Sequence, residues 1–164
     1  MFGLVASAAA YACLAAPLPA TDLKPVGSVA YKKAIFHLYD ISLCSDTGTF
    51  QWDNPFVITL KYKRKFSSEM IVKATMVEMS RLSGRDQSEF EPLRPTVDKC
   101  FPNVKKGDQI TGVSMGPDEA KFYYNGELTC EVKWAGFNED FFGIWLADES
   151  RAPRKSKVLR GLKK

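Results

Sequence analysis

The sequence has a single histidine among 164 residues, and it lacks the short motifs that mark many catalytic sites. It contains no glycine-rich phosphate loop, no Gly-x-Ser-x-Gly nucleophile motif and no closely spaced set of His and Cys ligands. Four cysteines are present, but they lie too far apart in sequence for a zinc knuckle. We therefore expect neither a metal site nor a cofactor.

Charged residues are absent from Met1–Ala20, which consists mostly of Ala, Leu, Val and Phe. The apolar run Phe2–Ala16 is shorter than the ~20 residues that span a bilayer, and it fits the apolar region of a signal peptide. We therefore predict a signal peptide over residues 1–20, a single domain over residues 21–164, and a periplasmic or secreted protein. The alternative is a buried N-terminal helix.

Two features of this region depart from a standard signal peptide. No Lys or Arg precedes the apolar run, and a cut after Ala20 would place Leu18 where a small residue is preferred. Cys13 follows Ala-Tyr-Ala, a poor match to a lipoprotein motif. Export would leave Cys44, Cys100 and Cys130, so we expect at most one disulfide, and the sequence cannot choose among the three pairings.

Positive charge is concentrated at the C-terminus. Seven of the 23 Lys and Arg residues lie in the last fourteen positions, and removing them leaves 16 cations against 19 acidic residues. This distribution favours a solvated basic helix end and argues against a nucleic-acid site, which needs a basic face with base-reading groups. Weak contact of the tail with anionic lipid is the minority interpretation.

Hydrophobic periodicity predicts the order strands, helices, strands, helices. Phe56–Tyr62 alternates as a strand, and Ser67 is a suitable N-cap for a helix that ends near Gly84. Asn125-Gly126 predicts a two-residue hairpin turn, and the aromatic residues from Phe137 to Leu146 recur at helical spacing. Further elements are two strands over Val26–Lys33 and Ala34–Cys44, short helical pieces over Asp86–Cys100, and a last helix from Pro153. This order predicts an α+β fold with helices packed on one face of an antiparallel sheet.

Four stretches of the sequence carry a resemblance to a known family. They are Ile35–Leu43, Lys65–Lys73, Phe101–Ile110, and Asn138–Leu146 followed by Arg151–Pro153. In this order they resemble a core strand, the start of the active-site helix, the entry to the long hairpin, and the last helix with the turn after it, in the chalcone isomerase family. The likeness is to the exported bacterial chalcone isomerase-like branch of that family, and it runs from about Pro25 to Leu162.

The resemblance also implies which polar groups an enzyme would need. Chalcone isomerases use a tyrosine, an asparagine, a threonine and an arginine around the substrate oxygens. Phe66, Lys73 and His37 stand at the first three positions, and no arginine occurs from Val26 to Ser42. Each lost donor to a developing oxyanion typically costs ~3 kcal/mol of transition-state stabilisation. The resemblance therefore favours a protein without catalytic residues of this kind.

The first hypothesis is an exported, non-catalytic protein that binds a small apolar or amphipathic molecule, similar to a fatty acid, in the cleft between sheet and helices. By position in the family cleft, the candidate ligand-binding residues are His37, Tyr39, Phe66, Lys73 and Asn138. The alternatives are an isomerase or lyase of non-flavonoid specificity, and an interaction protein with a collapsed cleft. The sequence identifies neither the ligand nor the oligomeric state.

Overall fold

The computed structural model describes Cys13 and residues 22–162. The segment predicted as a signal peptide therefore lies outside the described residues, apart from Cys13. The strands are β1 (Lys24–Lys33), β2 (Phe36–Ser45), β3 (Phe56–Tyr62), β4 (Gln109–Ser114), β5 (Glu119–Tyr124) and β6 (Glu127–Lys133). The helices are α1 (Ser68–Ser83), a 3-10 helix (Gln87–Leu93), α2 (Arg94–Cys100), α3 (Phe137–Leu146) and α4 (Pro153–Leu159). Within this part of the chain, no helix is long and apolar enough to cross a membrane.

All six strands form one antiparallel sheet in the order of the sequence, from β1 to β6. Strand β3 lies inside the sheet and is buried along nearly its whole length. Because successive side chains point to opposite faces, alternate residues of β3 pack against the helices. These residues are Phe56, Ile58, Leu60 and Tyr62. The α+β fold with an antiparallel sheet is therefore confirmed.

Local turn and cap chemistry explains where the predicted elements begin and end. The Ser67 hydroxyl accepts a hydrogen bond from the Met70 amide at 3.2 Å, and Gly84 ends α1 with a φ of 72°. Asn125 and Gly126 both have positive φ, at 47° and 89°, as a two-residue hairpin turn between β5 and β6 requires. The predicted hairpin and the predicted boundaries of α1 are confirmed.

Helix α3 supplies much of the core. The four residues predicted to share one face, Phe141, Phe142, Trp145 and Leu146, are all buried. Phe142 meets the β3 ring of Phe56 edge to face at a centroid distance of 5.1 Å. Helix α3 therefore lies on the sheet as its periodicity predicts.

The four cysteines of the chain form two disulfides. Cys13 pairs with Cys44 of β2, and Cys100 at the end of α2 pairs with Cys130 of β6. The expectation of at most one bridge applied to a chain without Cys13, and among Cys44, Cys100 and Cys130 the structure forms one bridge, Cys100–Cys130. Cys13 is buried, with 6% of its surface exposed.

Candidate functional site

A cavity of about 590 Å³ lies between the sheet and the helices. Its floor crosses five strands, from Tyr31 on β1 to Phe122 on β5, and its roof is formed by α1, α3 and the segment Ser150–Ala152. Small-molecule sites usually occupy about 300–1,000 Å³. The cleft is therefore open and large enough for a small molecule, in contrast to the collapsed cleft of the third hypothesis.

Three tyrosines form a row across the floor at one end of the cavity. Tyr31 pairs with Tyr39 in the register of β1 and β2, and Tyr39 pairs with Tyr62 in the register of β2 and β3. The rings of Tyr31 and Tyr39 are stacked with centroids 5.1 Å apart, and Tyr62 lies 5.9 Å from Tyr39. We call Tyr31, Tyr39 and Tyr62 the tyrosine row. It places three phenol groups on one side of the cavity.

The hydroxyls of the tyrosine row are incompletely hydrogen-bonded. The Tyr39 hydroxyl accepts a hydrogen bond from Trp145 Nε1 at 3.0 Å, which leaves its own proton available. The Tyr31 hydroxyl is buried and has no partner of good geometry among the described residues. A buried polar group without a partner costs roughly 1–3 kcal/mol. A ligand or a water with an acceptor atom would remove this cost.

Burial raises the pKa of these phenols still further above neutral pH. Desolvation raises the pKa of Tyr39 and of Tyr62 far above the ordinary value, and the Trp145 hydrogen bond offsets only part of the effect at Tyr39. Burial also raises the pKa of Tyr31, an effect that the nearby Ser150 hydroxyl partly offsets. The tyrosine row can therefore donate hydrogen bonds, but it supplies no base at neutral pH.

Charged residues surround the opening beside the tyrosine row. Lys32 and Lys33 line the cavity there, as does Arg151, whose Nε lies 2.6 Å from Glu78 Oε1. Burial raises the pKa of Glu78, but hydrogen bonds and positive charge from Arg81 and Arg151 outweigh it and lower the pKa overall. Glu78 thus stays ionised and holds Arg151 against α1.

The other end of the cavity is apolar and lies above β3, β4 and β5. Gly112 belongs to its floor, and a Cβ at this position would lie 2.9 Å from the rings of Phe122 and Phe142. Glycine therefore lets these rings approach the sheet closely. The side chains lining this end are Ile58, Ile110, Phe101, Phe122 and Phe141. The cavity is thus amphipathic along its length.

The structure brings together two of the five predicted site residues. Tyr39 and Phe66 line the cavity, and Phe66 is held by a backbone bridge to Val104. Phe66 brings no hydroxyl into the cavity. The other three predicted residues do not line the cavity.

Each of those three residues has a different environment. His37 is half-exposed, and its Nε2 lies 2.6 Å from Asp40 Oδ1. Lys73 is exposed on the surface of α1. Asn138 is buried, and its Nδ2 donates to Ser114 Oγ at 2.7 Å and to the Gly116 carbonyl, which ties α3 to the turn between β4 and β5.

Sequence reasoning missed Tyr31, Tyr62 and Arg151. Three tyrosines line the cavity because pairing across β1, β2 and β3 aligns them. The alternation in β3 marks Tyr62 as facing the helices, but no motif marks Tyr31 or Arg151. Within the part of the chain that the structure describes, no cluster of His, Cys, Asp or Glu could hold a metal ion.

The described part of the chain is an α+β domain in which an amphipathic cavity lies between a six-stranded antiparallel sheet and the helices. A chalcone isomerase-like family model matches residues 20–157, so the chain belongs to the chalcone isomerase-like family. This finding confirms the family resemblance read from the sequence.

Two of the proteins that are similar to the chain show how far the likeness extends. An uncharacterised protein of Haemophilus influenzae is 29% identical over 147 residues, which cover 87% of this chain and 70% of that protein. The crystal structure of an Arabidopsis thaliana fatty-acid binding protein superposes with a TM-score of 0.70 and 12% identity, covering 88% of this chain and 91% of that one. At this identity the likeness shows the shared fold.

Proposed function

We propose that the protein binds a small amphipathic molecule, similar to a fatty acid, in the cavity between sheet and helices. The observation that carries the proposal is the division of one 590 Å³ cavity into an apolar end and an end with hydroxyl donors and cations. Pockets of this size with a few placed polar groups are typical of small-molecule sites. The name of the Arabidopsis neighbour, a fatty-acid binding protein, supports the same class of ligand.

The chemistry of the two ends indicates how such a ligand would lie. Its apolar chain would extend over Ile110 and Gly112, where burial contributes roughly 25 cal/mol per Å² of apolar surface. Its carboxylate or carbonyl oxygen would accept hydrogen bonds from the tyrosine row. The cations Lys32, Lys33 and Arg151 at the opening favour an acidic head group.

We further propose that this binding is not accompanied by catalysis of the chalcone isomerase kind. Phe66 cannot donate a hydrogen bond to a substrate ketone, although it lies in the cavity. The tyrosine row can donate hydrogen bonds to an oxygen, but phenols are protonated at neutral pH, and burial raises their pKa further, so the row supplies no proton acceptor. The one carboxylate that lines the described cavity, Glu78, is paired with Arg81 and Arg151 and so is not a free base.

We propose export to an oxidising compartment, the periplasm or the cell exterior. The two disulfides support this location because such bridges persist outside the reducing cytosol. Cleavage after Ala20 would remove Cys13 and leave Cys44 unpaired, so this cut and the Cys13–Cys44 disulfide exclude each other. Intact mass and N-terminal sequencing of the exported protein would show which of the two occurs.

Two neighbouring residues on α1 provide a matched test of the binding site. Ala74 and the adjacent Lys73 are both exposed, but only Ala74 lines the cavity. We expect Ala74→Phe to fill the opening and lower the affinity for hexadecanoic acid at least about tenfold, and Lys73→Phe to leave the affinity unchanged. Calorimetric titration of both variants measures this difference.

Mass spectrometry of an organic extract from the purified protein would identify a ligand that co-purifies. A stoichiometric apolar acid supports the proposal and names the compound to titrate next. An empty extract, together with no thermal shift across a panel of fatty acids, would contradict it. Equal effects of Ala74→Phe and Lys73→Phe would place any binding outside the cavity.

A further inference from the structure

The tip of the β1–β2 hairpin exposes two large apolar side chains. Ile35 is 90% exposed and Phe36 is 45% exposed. Ile35 follows Ala34, whose φ of 54° makes the sharp turn between the strands. A large apolar residue that leaves nearly all of its surface in water at a hairpin tip gains nothing from folding. An external apolar surface would give it a partner.

Cations surround these two residues. Lys32 and Lys33 precede the turn, and the Lys63 amide bonds to the Leu38 carbonyl at 2.8 Å, which holds the end of β3 beside β2. The guanidinium of Arg64 lies 4.3 Å from the centre of the Phe36 ring. We call Lys32–Phe36 together with Lys63–Lys65 the basic tip.

Most of the positive charge on the basic tip is not neutralised within the protein. Lys63 lies 3.4 Å from Asp40, which also accepts a hydrogen bond from His37. Among the described residues, the other four cations of the basic tip form no ion pair with a carboxylate. They are Lys32, Lys33, Arg64 and Lys65.

The C-terminal tail, in contrast, uses several of its cations inside the protein. Arg151 pairs with Glu78, and Arg160 pairs with Asp148 at 2.6 Å. Lys155 Nζ donates to the Ala30 carbonyl at 2.7 Å. The free positive charge that the sequence suggested at the tail is therefore partly used in holding α4 and its flanking loops to the rest of the fold.

The basic tip is continuous with the opening of the cavity. Lys32, Lys33 and Leu38 line the cavity, and Met70, also in the lining, is 58% exposed. Any surface that contacts Ile35 and Phe36 therefore also lies close to the cavity opening.

We propose that the basic tip docks on an anionic phospholipid surface. Ile35 and Phe36 enter the interface between head groups and acyl chains, and the surrounding cations contact lipid phosphates. A basic surface with exposed apolar side chains is the combination that binds such interfaces. Docking in this orientation would bring the cavity opening to the lipid, and this last point rests on the proposed ligand-binding function.

Sedimentation with lipid vesicles tests the docking with the full chain. We expect the protein to bind vesicles of phosphatidylcholine containing phosphatidylglycerol, to bind pure phosphatidylcholine vesicles weakly, and to lose binding as salt is raised. Each cation near an anionic surface contributes about fivefold in affinity. Arg64→Gln combined with Lys65→Gln should therefore weaken binding at least about tenfold.

Matched variants separate the basic tip from other surfaces. Ile35→Ser should weaken vesicle binding about tenfold. Met115 is also an exposed apolar residue, at 48%, but it follows the last residue of β4, at the end of the sheet away from the basic tip. Met115→Ser should therefore leave vesicle binding unchanged. Arg154→Gln combined with Lys157→Gln tests the tail. A loss of binding in the tail variant with none in the basic tip variants would overturn the proposal.

The same variants distinguish failure of docking from failure of ligand binding. Arg64, Lys65 and Ile35 do not line the cavity, so their substitution should leave the affinity for hexadecanoic acid in solution unchanged. Ala74→Phe should retain vesicle binding even where it abolishes ligand binding. Absence of binding by the unsubstituted protein to anionic vesicles would overturn the docking proposal alone.

Discussion

The two faces of the sheet are both buried, yet they differ in what they enclose. On the helix-facing side, Phe56 and Ile58 of β3 belong to the large core that surrounds the cavity. On the opposite side, Val57 and Thr59 are also buried, at 3% and 6% exposure, and they belong to rows of paired residues across β2, β3 and β4. Burial alone therefore does not make a binding face, which also needs helices held far enough from the sheet to leave space.

The opposite face is organised by short cross-strand rows. Cys44, Val57 and Val113 align across β2, β3 and β4, and Cys13 is bonded to the first of them. In the next row Thr59 aligns with Thr111, and their hydroxyls lie 3.2 Å apart. Small side chains and a disulfide thus stabilise this face, whereas large aromatic rings stabilise the other.

Truncating one buried side chain on each face of the sheet should give the largest difference in the free energy of unfolding. Phe142→Ala should lower the free energy of unfolding by about 3–5 kcal/mol, because Phe142 is fully buried against Phe56 and Phe122. Val113→Ala on the opposite face should cost about 2 kcal/mol. Urea unfolding of both variants checks the ranking, and equal losses would contradict the difference drawn between the faces.

The two disulfides test whether both faces are equally constrained. They close loops of nearly the same length, with sequence separations of 31 and 30 residues. Loop entropy then predicts a loss of about 3.5–4 kcal/mol for either Cys13→Ser with Cys44→Ser or Cys100→Ser with Cys130→Ser. Unfolding without reductant measures both. A negligible effect of the first pair would mean that Cys13 does not stabilise the folded sheet.

The threonine pair gives a smaller and more local effect. Thr59→Val should cost about 1–3 kcal/mol because it leaves the buried Thr111 hydroxyl without this partner. Replacing both threonines by valine should be nearly neutral, since no buried hydroxyl then remains unpaired. A double-mutant cycle by urea unfolding separates the two cases. Additive losses would show that the two hydroxyls do not interact.

The smallest expected effect is a pH dependence at the rim of the cavity. The pKa of Glu78 is lowered from 4.5, so its ionised form contributes stability above that value and loses it as pH falls through the folded-state pKa. Glu78→Gln should therefore make stability less dependent on pH below about 4.5. Unfolding at a series of acidic pH values checks this, with Glu69→Gln on the exposed first turn of α1 as control.

Most of the fold could be predicted because local signals agree with tertiary packing. Ser67, Gly84 and Asn125-Gly126 determine element boundaries through cap and turn chemistry, and these boundaries hold in the structure. The pairing of Cys13 could not be predicted. An apolar N-terminal segment fits both a removed leader and a retained part of the fold, and the sequence alone does not distinguish them.

The candidate site was harder to predict, because a residue's position in a family motif does not show whether its side chain points into the cavity. The α1 residues that line the cavity, such as Met70, Ile71 and Ala74, fall within one arc of the helix at about 100° per residue. Lys73 lies about 60° outside that arc, so helical periodicity could have excluded it. Tyr31 lines the cavity because of the register of β1 with β2, and Arg151 because of its ion pair with Glu78. Neither contact is marked by a local sequence pattern.

The order of the strands has a consequence for how the cavity is assembled during folding. Strands β1 to β3 and β4 to β6 form two meanders of local hairpins, whereas β3 and β4 pair across a long insertion, as in Val57 with Val113. Pairing of strands that are distant in sequence has the greater cost in loop-closure entropy, so we expect β3 and β4 to pair late in folding. Because the cavity floor includes residues of both β3 and β4, a ligand would bind only after these strands have paired, and it would then stabilise the paired state.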